Sequence, residues 1–356
     1  MSQKWIHCAR KAIMYQYNYV FFNTEDSKLN ISDQGYYAIC AEDLKRSECV
    51  HLVNYPLDYA SKWVRGLFIL HHMHRINRIV KLPLKSLWFP YYFNHRFPDN
   101  KPICFVLSGQ YISPEYLRYL KKEYKNCRVV KIYRDKVSSW EKNCPAFTKE
   151  AQRELIDLHM SYDEGECDKY GMSHFVEFES KTEVPVSTSY PLSDIFFAGR
   201  PKGRLERLFA AYHKFSDAGL KCSYYLVGVP KEQQIPLEGI TYADKPMTYR
   251  EMLYHTVNTR CVLEFNPKGA VGYTSRFLEA VIYGKKLITD NMSIRNSEFY
   301  NPAYISCVST VEEMDPTFVK MDVGEINYHY NGEFSPIHLI ENIDRQLVRL
   351  DEETTC

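Results

Sequence analysis

Short apolar runs alternate with amphipathic stretches from about residue 100 onward. The apolar runs are rich in β-branched and aromatic residues, which is typical of buried strands, and the stretches between them follow a helical period. In the first helical stretch Ser113 suits the N-cap and Pro114 the first helical position. The elements predicted here are strands at 102–109, 127–135 and 173–180, a helix at 113–126, and a helix that passes into a strand at 151–163.

The alternation stops at residues 182–193 and then restarts. This segment, TEVPVSTSYPLS, carries two prolines, five Ser or Thr residues and few charges, which is typical of a linker. Beyond it the pattern predicts strands at 194–200, 221–229, 260–266 and 285–289, and helices at 203–219, 248–259, 273–284 and 335–350. Two α/β halves joined by a linker predict two parallel sheets with a cleft between their carboxyl ends, the edge at which open α/β sheets bind ligands.

Length and composition agree with this division. A chain of 356 residues exceeds the usual size of one hydrophobic core, so two domains are expected. A net charge of +1 argues against a general nucleic-acid-binding protein. The 11 cysteines form no CxxC pair, and there is no signal peptide and no apolar run long enough to span a bilayer. We therefore expect free thiols and a cytoplasmic location.

The stretch 266–289 (NPKGAVGYTSRFLEAVIYGKKLIT) places a glycine-containing loop directly before a predicted helix. Gly269 and Gly272 allow the backbone to approach a ligand closely. The helix is predicted to begin with Thr274 or Ser275 as its cap, so its free N–H groups and positive dipole end favour a phosphate group. We therefore expect an anion site at the start of this helix.

Two charged residues follow on one face of that helix. Arg276 in the first turn adds a charge-assisted contact to an anion, and Glu279 lies three residues later on the same face. A carboxylate next to a phosphate is unfavourable, whereas it accepts hydrogen bonds from both hydroxyls of a ribose. The spacing therefore suits a nucleoside diphosphate. The alternative is a capped helix with an i,i+3 Arg–Glu surface pair.

A second glycine-containing turn lies at 196–204 (FFAGRPKGR), where a predicted strand runs into a helix start. Gly199 opens the turn, and Arg200 and Lys202 place positive charge at the carboxyl edge of the sheet. These cations are suited to hold phosphate charge in place of a metal ion. The alternative is a solvated basic turn without a ligand.

Several longer segments together resemble a known group of enzymes. FFAGRPKGRLERLFAAYHKFSDAG, TYREMLYHTVNTRCVLEFN and GYTSRFLEAVIYGKKLITDN are similar to bacterial GT-B glycosyltransferases of surface-polysaccharide and lipopolysaccharide gene clusters. LPLKSLWFPYYF, KPICFVLSG and SYDEGECDKYGM resemble the same group. The resemblance covers residues 81–305 and is strongest in the second half. It implies the GT-B fold, in which two Rossmann-like domains face each other across a cleft.

The resemblance also implies roles for the parts of the chain. Residues 1–185 are expected to bind the acceptor and residues 186–334 the nucleotide sugar, while a helix within 335–356 packs back on the first domain. Gly272 stands where retaining members carry the first of two glutamates, which favours an inverting reaction. The donor-binding residues expected from spacing and resemblance are Gly199, Arg200, Lys202, Gly272, Tyr273, Thr274, Ser275, Arg276 and Glu279.

An inverting transfer needs a general base that takes the proton of the acceptor hydroxyl. The candidates are Asp135 after VVKIYR and Asp163 after LHMSY, with Asp33 and His95 on less regular stretches. For Asp163 and Asp168, which lie in SYDEGECDKYG, a structural role in a turn is the alternative. The sequence leaves the choice of base open.

No metal ion or other cofactor is expected. The chain lacks an Asp-x-Asp motif that would hold a metal on a diphosphate, so basic side chains and a helix dipole are expected to take its place. The histidines at 71, 72 and 74 (HHMH) invite a metal interpretation, but no third ligand has a recognisable spacing.

Residues 59–93 combine cations with large apolar residues, among them Trp63, Leu67 and Phe68. One interpretation is an amphipathic surface that contacts an anionic membrane and brings the protein to a lipid-linked acceptor. The favoured interpretation is an ordinary helix that buries its apolar face against the first sheet.

The favoured function is transfer of a sugar from a nucleotide-diphosphate sugar to a saccharide or lipid-linked acceptor in surface glycan synthesis. A GT-B-fold sugar-nucleotide epimerase is the first alternative; it would use the same nucleotide site, need acid and base groups for C–H chemistry, and need no acceptor. The second alternative is a non-catalytic homologue that binds a partner or scaffolds an assembly. It would show no response to any nucleoside diphosphate.

Overall fold

Two parallel β-sheets of six strands each form the framework of the protein in a computed structural model. The structure describes residues 15–22, 36–53, 57, 60–80, 82–108, 113–137, 154–266 and 271–355. Helices connect most successive strands and cover the sheets. The α/β fold class predicted from the alternation is confirmed, because every strand pair in both sheets is parallel.

The first sheet has the strand order β2-β1-β3-β4-β5-β6. Its strands are β1 (Asn18–Phe22), β2 (Val50–Val53), β3 (Ile103–Ser108), β4 (Arg128–Tyr133), β5 (Leu158–Ser161) and β6 (Ser173–His174). The strands predicted at 102–109 and 127–135 are confirmed. The predicted strand at 173–180 is wrong beyond His174, because there the backbone bonds elsewhere: Glu179 N donates to Phe334 O at 2.8 Å and Ser180 N to Cys40 O at 2.9 Å.

Helices around the first sheet begin at recognisable caps. Ser113 accepts a hydrogen bond from Tyr116 N at 3.3 Å, and Pro114 follows it, as predicted. Residues 154–157 form a turn instead of the end of a predicted helix, and residues 151–153 lie outside the described ranges. The helices are α1 (Tyr36–Cys40), α2 (Lys62–His72), α3 (His74–Ile79), α4 (Pro114–Glu123) and α5 (Glu164–Tyr170), with 3-10 helices at Glu42–Arg46 and Lys85–Tyr91.

The second sheet has the order β12-β11-β10-β7-β8-β9. Its strands are β7 (Ser193–Gly199), β8 (Cys222–Val227), β9 (Ile240–Ala243), β10 (Thr259–Glu264), β11 (Lys286–Thr289) and β12 (Ile305–Cys307). The accompanying helices are α6 (Leu205–Asp217), α7 (Tyr249–Val257), α8 (Ser275–Ile282), α9 (Pro316–Lys320) and α10 (Pro336–Thr355), with 3-10 helices at Lys231–Gln233 and Met292–Asn296. The four strands and four helices predicted for this half are all present. The observed strand ends differ from the predicted ones by two residues or fewer.

The last helix, α10, contacts the first sheet although it follows the second sheet in the chain. Leu339, Ile340, Ile343 and Leu347 are buried in the same hydrophobic cluster as β1, β3, β4 and β5. Asp344 of this helix accepts a hydrogen bond from the Tyr19 hydroxyl at 2.6 Å. The end of the chain thus helps to close the core of the first half, while the domain boundaries at 185 and 334 stay predictions.

The cysteines in the described ranges are free thiols, and most of them are buried. Burial raises the pKa of Cys40 to about 11 and that of Cys222 to about 12, so these thiols stay protonated and pack as small apolar groups. None of the helices that the structure describes is both long and apolar enough to cross a membrane.

Candidate functional site

A cavity of about 280 Å³ lies between the carboxyl ends of the two sheets. From the first half it is lined by Tyr36, Arg134, Asp135, Tyr162 and Glu177, and from the second by Phe197, Ala198, Gly199, Arg200, Lys202, Arg204, Glu264, Phe265, Asn266, Tyr273, Thr274, Ser275 and Arg276. Both glycine-containing turns singled out in the sequence therefore meet at one cavity. Seven of the nine predicted donor residues line it; Gly272 and Glu279 do not.

The turn after β7 presents two cations to this cavity. Arg204 holds this turn in place with three hydrogen bonds. Its Nε donates to Pro201 O at 2.8 Å, and its two terminal nitrogens donate to the carbonyl oxygens of Arg200 and Phe265. Lys202 is held at a φ of 45°, an uncommon left-handed conformation for a residue with a side chain. Within the described residues, the exposed side chains of Arg200 and Lys202 form no ion pair or hydrogen bond, so both remain available to an anion.

The start of α8 forms the neighbouring wall. Thr274 is the N-cap, and its hydroxyl accepts a hydrogen bond from Arg276 N at 3.2 Å. The same hydroxyl donates to the carboxylate of Glu264, which also accepts from Thr289 at 2.5 Å. Glu264 is 2% exposed, and burial raises its pKa. This buried glutamate holds the cap in place, and no motif in the sequence points to it.

Glu279 lies one layer behind the cavity wall. It is fully buried, forms an ion pair with Arg276, and accepts a hydrogen bond from the Tyr249 hydroxyl at 2.9 Å. Burial raises its pKa to about 7 against the opposing effect of Arg276. Its role as a ribose ligand stays a prediction, and that role would require Glu279 to exchange one of these contacts. In the structure it positions Arg276, which does line the cavity.

A second buried carboxyl, Glu179, lies close to Glu279. It is 0% exposed, and neither of its oxygens makes a hydrogen bond of normal geometry with a described residue. The Tyr249 hydroxyl faces both carboxyls, but its single hydrogen goes to Glu279. Burial, reinforced by the negative charge of Glu279, raises the pKa of Glu179 well above its ordinary value. The folded protein therefore favours the protonated form of Glu179.

Glu179→Gln is expected to stabilise the protein at pH 8 and to have little effect at pH 5. The raised pKa means that the folded state binds more protons than the unfolded chain above pH 4.5, so the free energy of unfolding falls as pH rises through that range. A neutral amide does not titrate, so the variant keeps the free energy of unfolding that the wild type loses at high pH. We expect its Tm at pH 8 to be higher by about 2–4 °C. Thermal unfolding at both pH values measures it. Glu232→Gln, on an exposed 3-10 helix, is the matched control; an equal gain for Glu179→Gln at both pH values would contradict a protonated Glu179.

The two main candidates for the base occupy different environments. Asp135 follows β4, is exposed, and lines the cavity opposite the cations. Asp163 is 1% exposed and is the N-cap of α5, accepting from Glu166 N at 3.2 Å. It also accepts from Val271 N at 3.0 Å and Gly272 N at 3.4 Å in the second half. Asp135 thus faces the cavity, whereas Asp163 caps a helix, which is the structural alternative that its motif left open; which of them is the base stays a prediction.

Glu177 is a further carboxylate in the cavity that sequence reasoning missed. Its Oε1 accepts from Arg134 Nε at 2.7 Å, and both side chains are 5% exposed. The Arg134 guanidinium lies 4.0 Å from the centroid of the Phe178 ring and donates to the Tyr36 hydroxyl, so it is fixed on several sides. Burial raises the pKa of Glu177 while Arg134 opposes that rise. The only sequence signal was a pair of glutamates within an otherwise apolar run.

A second cavity of about 250 Å³ adjoins the first. Tyr162, Glu177 and Tyr273 line both cavities. The remaining walls of the second are Glu164, His174, Val176, Val271, Gly272, Ser293 and Asn296. At Gly272 an added Cβ would come within 2.5 Å of Tyr162 O, so only glycine permits this close approach of the two halves.

The other predicted candidates lie elsewhere. His95 stacks on His51, with ring centroids 4.1 Å apart, and does not line either cavity. Asp33 and Gly269 lie outside the described residues. His71 accepts a hydrogen bond from Trp88 Nε1 at 2.7 Å, and His72 bonds to the Phe68 carbonyl at 3.0 Å. Over the described ranges, no three His, Cys, Asp or Glu side chains gather into a group that could hold a metal ion.

Several solved structures are similar to this chain, and one of them reaches a TM-score of 0.50. HepE from Anabaena, in complex with UDP and glucose, superposes with a TM-score of 0.50 and 11% identity over 93% of this chain and 99% of that chain. The N-terminal domain of trehalose-6-phosphate phosphatase from Candida albicans gives 0.49 at 11% identity over 88% and 92% of the chains. A putative UDP-N-acetylglucosamine 2-epimerase from Listeria monocytogenes gives 0.45 at 12% over 94% and 97%. No protein-family model and no curated protein matches the sequence.

The protein has the GT-B fold: two parallel α/β units that face each other across a cleft. The predicted fold is therefore confirmed. At 11% identity the similarity to HepE establishes the architecture alone, so the activity has to be argued from the cavity.

Proposed function

We propose that the protein is a glycosyltransferase that moves a sugar from a nucleoside-diphosphate sugar to a saccharide acceptor. One observation carries this proposal: free cations from the second sheet face carboxylates from the first sheet across a single cavity. Arg200 and Lys202 suit the diphosphate of a donor, and Asp135 suits the acceptor hydroxyl that attacks it. The proposed reaction needs the two charge types on opposite sides of the reacting sugar, and this cavity is lined by cations from the second half and carboxylates from the first.

The donor side stabilises the charge that develops on the leaving nucleoside diphosphate. In the proposal Arg200, Lys202 and Arg276 contact its oxygens, and the start of α8, whose residues Thr274 and Ser275 line the same cavity, adds the positive end of a helix dipole. These groups are preorganised, since Arg204 fixes the turn and Glu264 fixes the cap. We propose that they act without a metal ion.

The acceptor side activates the nucleophile. In the proposed reaction the Asp135 carboxylate accepts the proton of the acceptor hydroxyl as its oxygen attacks the anomeric carbon, and the bond to the diphosphate oxygen breaks on the opposite face. This course inverts the anomeric configuration. The adjoining cavity, with Glu164, His174 and Asn296 in its walls, supplies polar groups for a saccharide acceptor.

For the donor nucleotide we propose a uridine diphosphate. The support is the HepE structure, which holds UDP and glucose on the same fold. The resemblance to surface-polysaccharide enzymes supports a role in the synthesis of a surface glycan, with a saccharide or lipid-linked acceptor.

Two carboxylates that the first half contributes to the cavity support a second candidate, a sugar-nucleotide epimerase. Asp135 and Glu177 both line the cavity, and an epimerase needs a pair of groups to remove and return a proton at carbon. Incubation with a UDP-sugar alone separates the two functions. An epimerase converts the sugar without an acceptor, whereas a transferase forms product only when an acceptor is added.

UDP is expected to raise Tm by about 5–10 °C at a concentration of about 100 Kd, because that excess adds about 2.7 kcal/mol to stability. A thermal-shift screen with UDP, GDP, dTDP and CMP measures this. A larger rise in Tm with GDP or dTDP would indicate that the donor carries guanosine or thymidine instead of uridine. No shift with any of the four would contradict the donor site and support a non-catalytic homologue.

A further inference from the structure

One face of α2 is apolar and exposed. Trp63, Leu67 and Leu70 are spaced i, i+4 and i+7, which places them on one stripe of the helix. Their side chains are 87%, 60% and 51% exposed. Phe68, on the other side, is the one residue of α2 that is buried. The favoured sequence interpretation, a helix that buries its apolar face against the first sheet, is therefore wrong for this stripe.

The 3-10 helix Lys85–Tyr91 continues this apolar surface. Leu84, Leu87 and Tyr91 are 66%, 65% and 42% exposed. The opposite side of the same segment is anchored in the core, since Phe89 is buried in the cluster that also holds β3 and α4. The exposed side chains thus belong to a segment that is fixed in place.

Side chains of α2 and of the 3-10 helix Lys85–Tyr91 contact each other, so the two segments are fixed relative to one another. Phe68 packs edge-on against Trp88 at a centroid distance of 5.4 Å, and Trp88 donates to His71 at 2.7 Å. Asn77 donates to the His71 and Met73 carbonyls and accepts from Leu82 N, so the connection between the segments is also held. The inner side chains thus bond to and pack against one another, while the outer apolar side chains of both segments stay exposed.

The charge around this surface is one-sided. Between residues 59 and 98 the chain has no Asp or Glu, although acids and bases nearly balance over the whole protein. The cations of this segment are Lys62, Arg65, Arg75, Arg78, Lys81, Lys85 and Arg96. Lys62 and Lys85 lie at the starts of the two helices and are exposed beside the apolar stripes.

We propose that this surface, the exposed stripes of α2 and Lys85–Tyr91, docks on an anionic lipid bilayer. Exposed Trp, Leu and Tyr side chains insert at the level of the lipid headgroups, and the flanking cations pair with acidic headgroups. A second copy of the same surface is disfavoured because it would bring like charges together. The helix α2 follows β2 at the carboxyl edge of the first sheet, so docking places the cleft next to the bilayer.

Co-sedimentation of the full chain with vesicles tests this proposal. Binding is expected to vesicles of phosphatidylcholine and phosphatidylglycerol in equal parts, and to fall strongly with pure phosphatidylcholine or at high salt. Trp63→Ser with Leu67→Ser is expected to reduce partitioning at least about tenfold. Lys62→Gln and Lys85→Gln are each expected to reduce it about fivefold.

Val186→Ser with Leu192→Ser is the matched control, since these apolar side chains are 70% and 65% exposed in the linker. It is expected to leave vesicle binding unchanged. The proposal is overturned if the wild-type chain does not bind the anionic vesicles, or if both pairs of substitutions weaken binding equally. It is also overturned if sedimentation velocity shows a dimer that Trp63→Ser with Leu67→Ser dissociates, because a second copy would then be the occupant. Retention of the UDP thermal shift in each variant separates these outcomes from a failure of the donor site.

Discussion

Replacing both Arg200 and Lys202 by alanine is expected to weaken UDP binding by at least about 100-fold and to abolish the UDP-induced thermal shift. Each side chain is exposed in the cavity and free of other partners among the described residues, so its charge is available to the diphosphate. A charge-assisted hydrogen bond contributes about 1.5–3 kcal/mol, and the loss of two gives at least the stated change. Isothermal titration calorimetry measures the affinity.

Lys221→Ala is the matched control for this pair. Lys221 is an exposed cation that precedes β8 and therefore lies at the opposite edge of the second sheet. It is expected to leave UDP affinity within about twofold of wild type, since one screened surface charge contributes little at a distance. Equal losses in the double variant and the control would indicate general electrostatic attraction instead of a phosphate site.

Asp135→Asn is expected to lower kcat by about 10²–10⁴ while UDP affinity stays unchanged. The substitution keeps the size of the side chain but removes the proton acceptor, and general-base catalysis contributes about that factor. The residue lies across the cavity from the phosphate cations, so donor binding does not depend on it. Turnover of a UDP-sugar in the presence of acceptor, together with UDP calorimetry, separates the two effects.

Two further variants assign the base. Asp163→Asn is expected to lower Tm with a smaller effect on kcat, because Asp163 caps α5 and accepts hydrogen bonds from the second half. Glu177→Gln tests the other carboxylate that the first half contributes to the cavity. If Glu177→Gln removes the acidic limb of the pH–rate profile, along which activity rises as the base loses its proton, and Asp135→Asn does not, the base is Glu177 and the assignment of Asp135 is wrong.

The sequence predicted the sheets well where strands and helices alternate in short, regular units. It did not predict β1, β2, β9 or β12, which are short strands. The stretches before residue 100 also lack a clear period. Both phosphate-type turns were found from glycines and cations at strand ends. Each turn follows a predicted strand of the same sheet. Because parallel strands end at the same edge of a sheet, these positions predict that the two turns lie close together.

The spacing of residues along the sequence did not reveal how deeply each side chain is buried. The spacing predicts that Glu279 shares a helix face with Arg276. Their ion pair confirms this, but Glu279 is fully buried behind Arg276. Similarly, Asp135 and Asp163 both follow a strand in the sequence, and only the structure shows that one faces the cavity while the other caps a helix. Glu264 lies within a predicted strand, and no sequence pattern indicates that its carboxylate anchors the cap at Thr274.

The contact between Tyr162–Asp163 and Val271–Gly272 has a consequence for how such a protein can diversify. Asp163 bonds to two backbone N–H groups of the other half, and Tyr162 leaves no space for a Cβ at residue 272. The two halves therefore cannot be exchanged independently between related chains. A hybrid that takes a new second half has to keep the glycine at 272, because a Cβ there would meet the backbone carbonyl oxygen of residue 162 whatever side chain that residue carries.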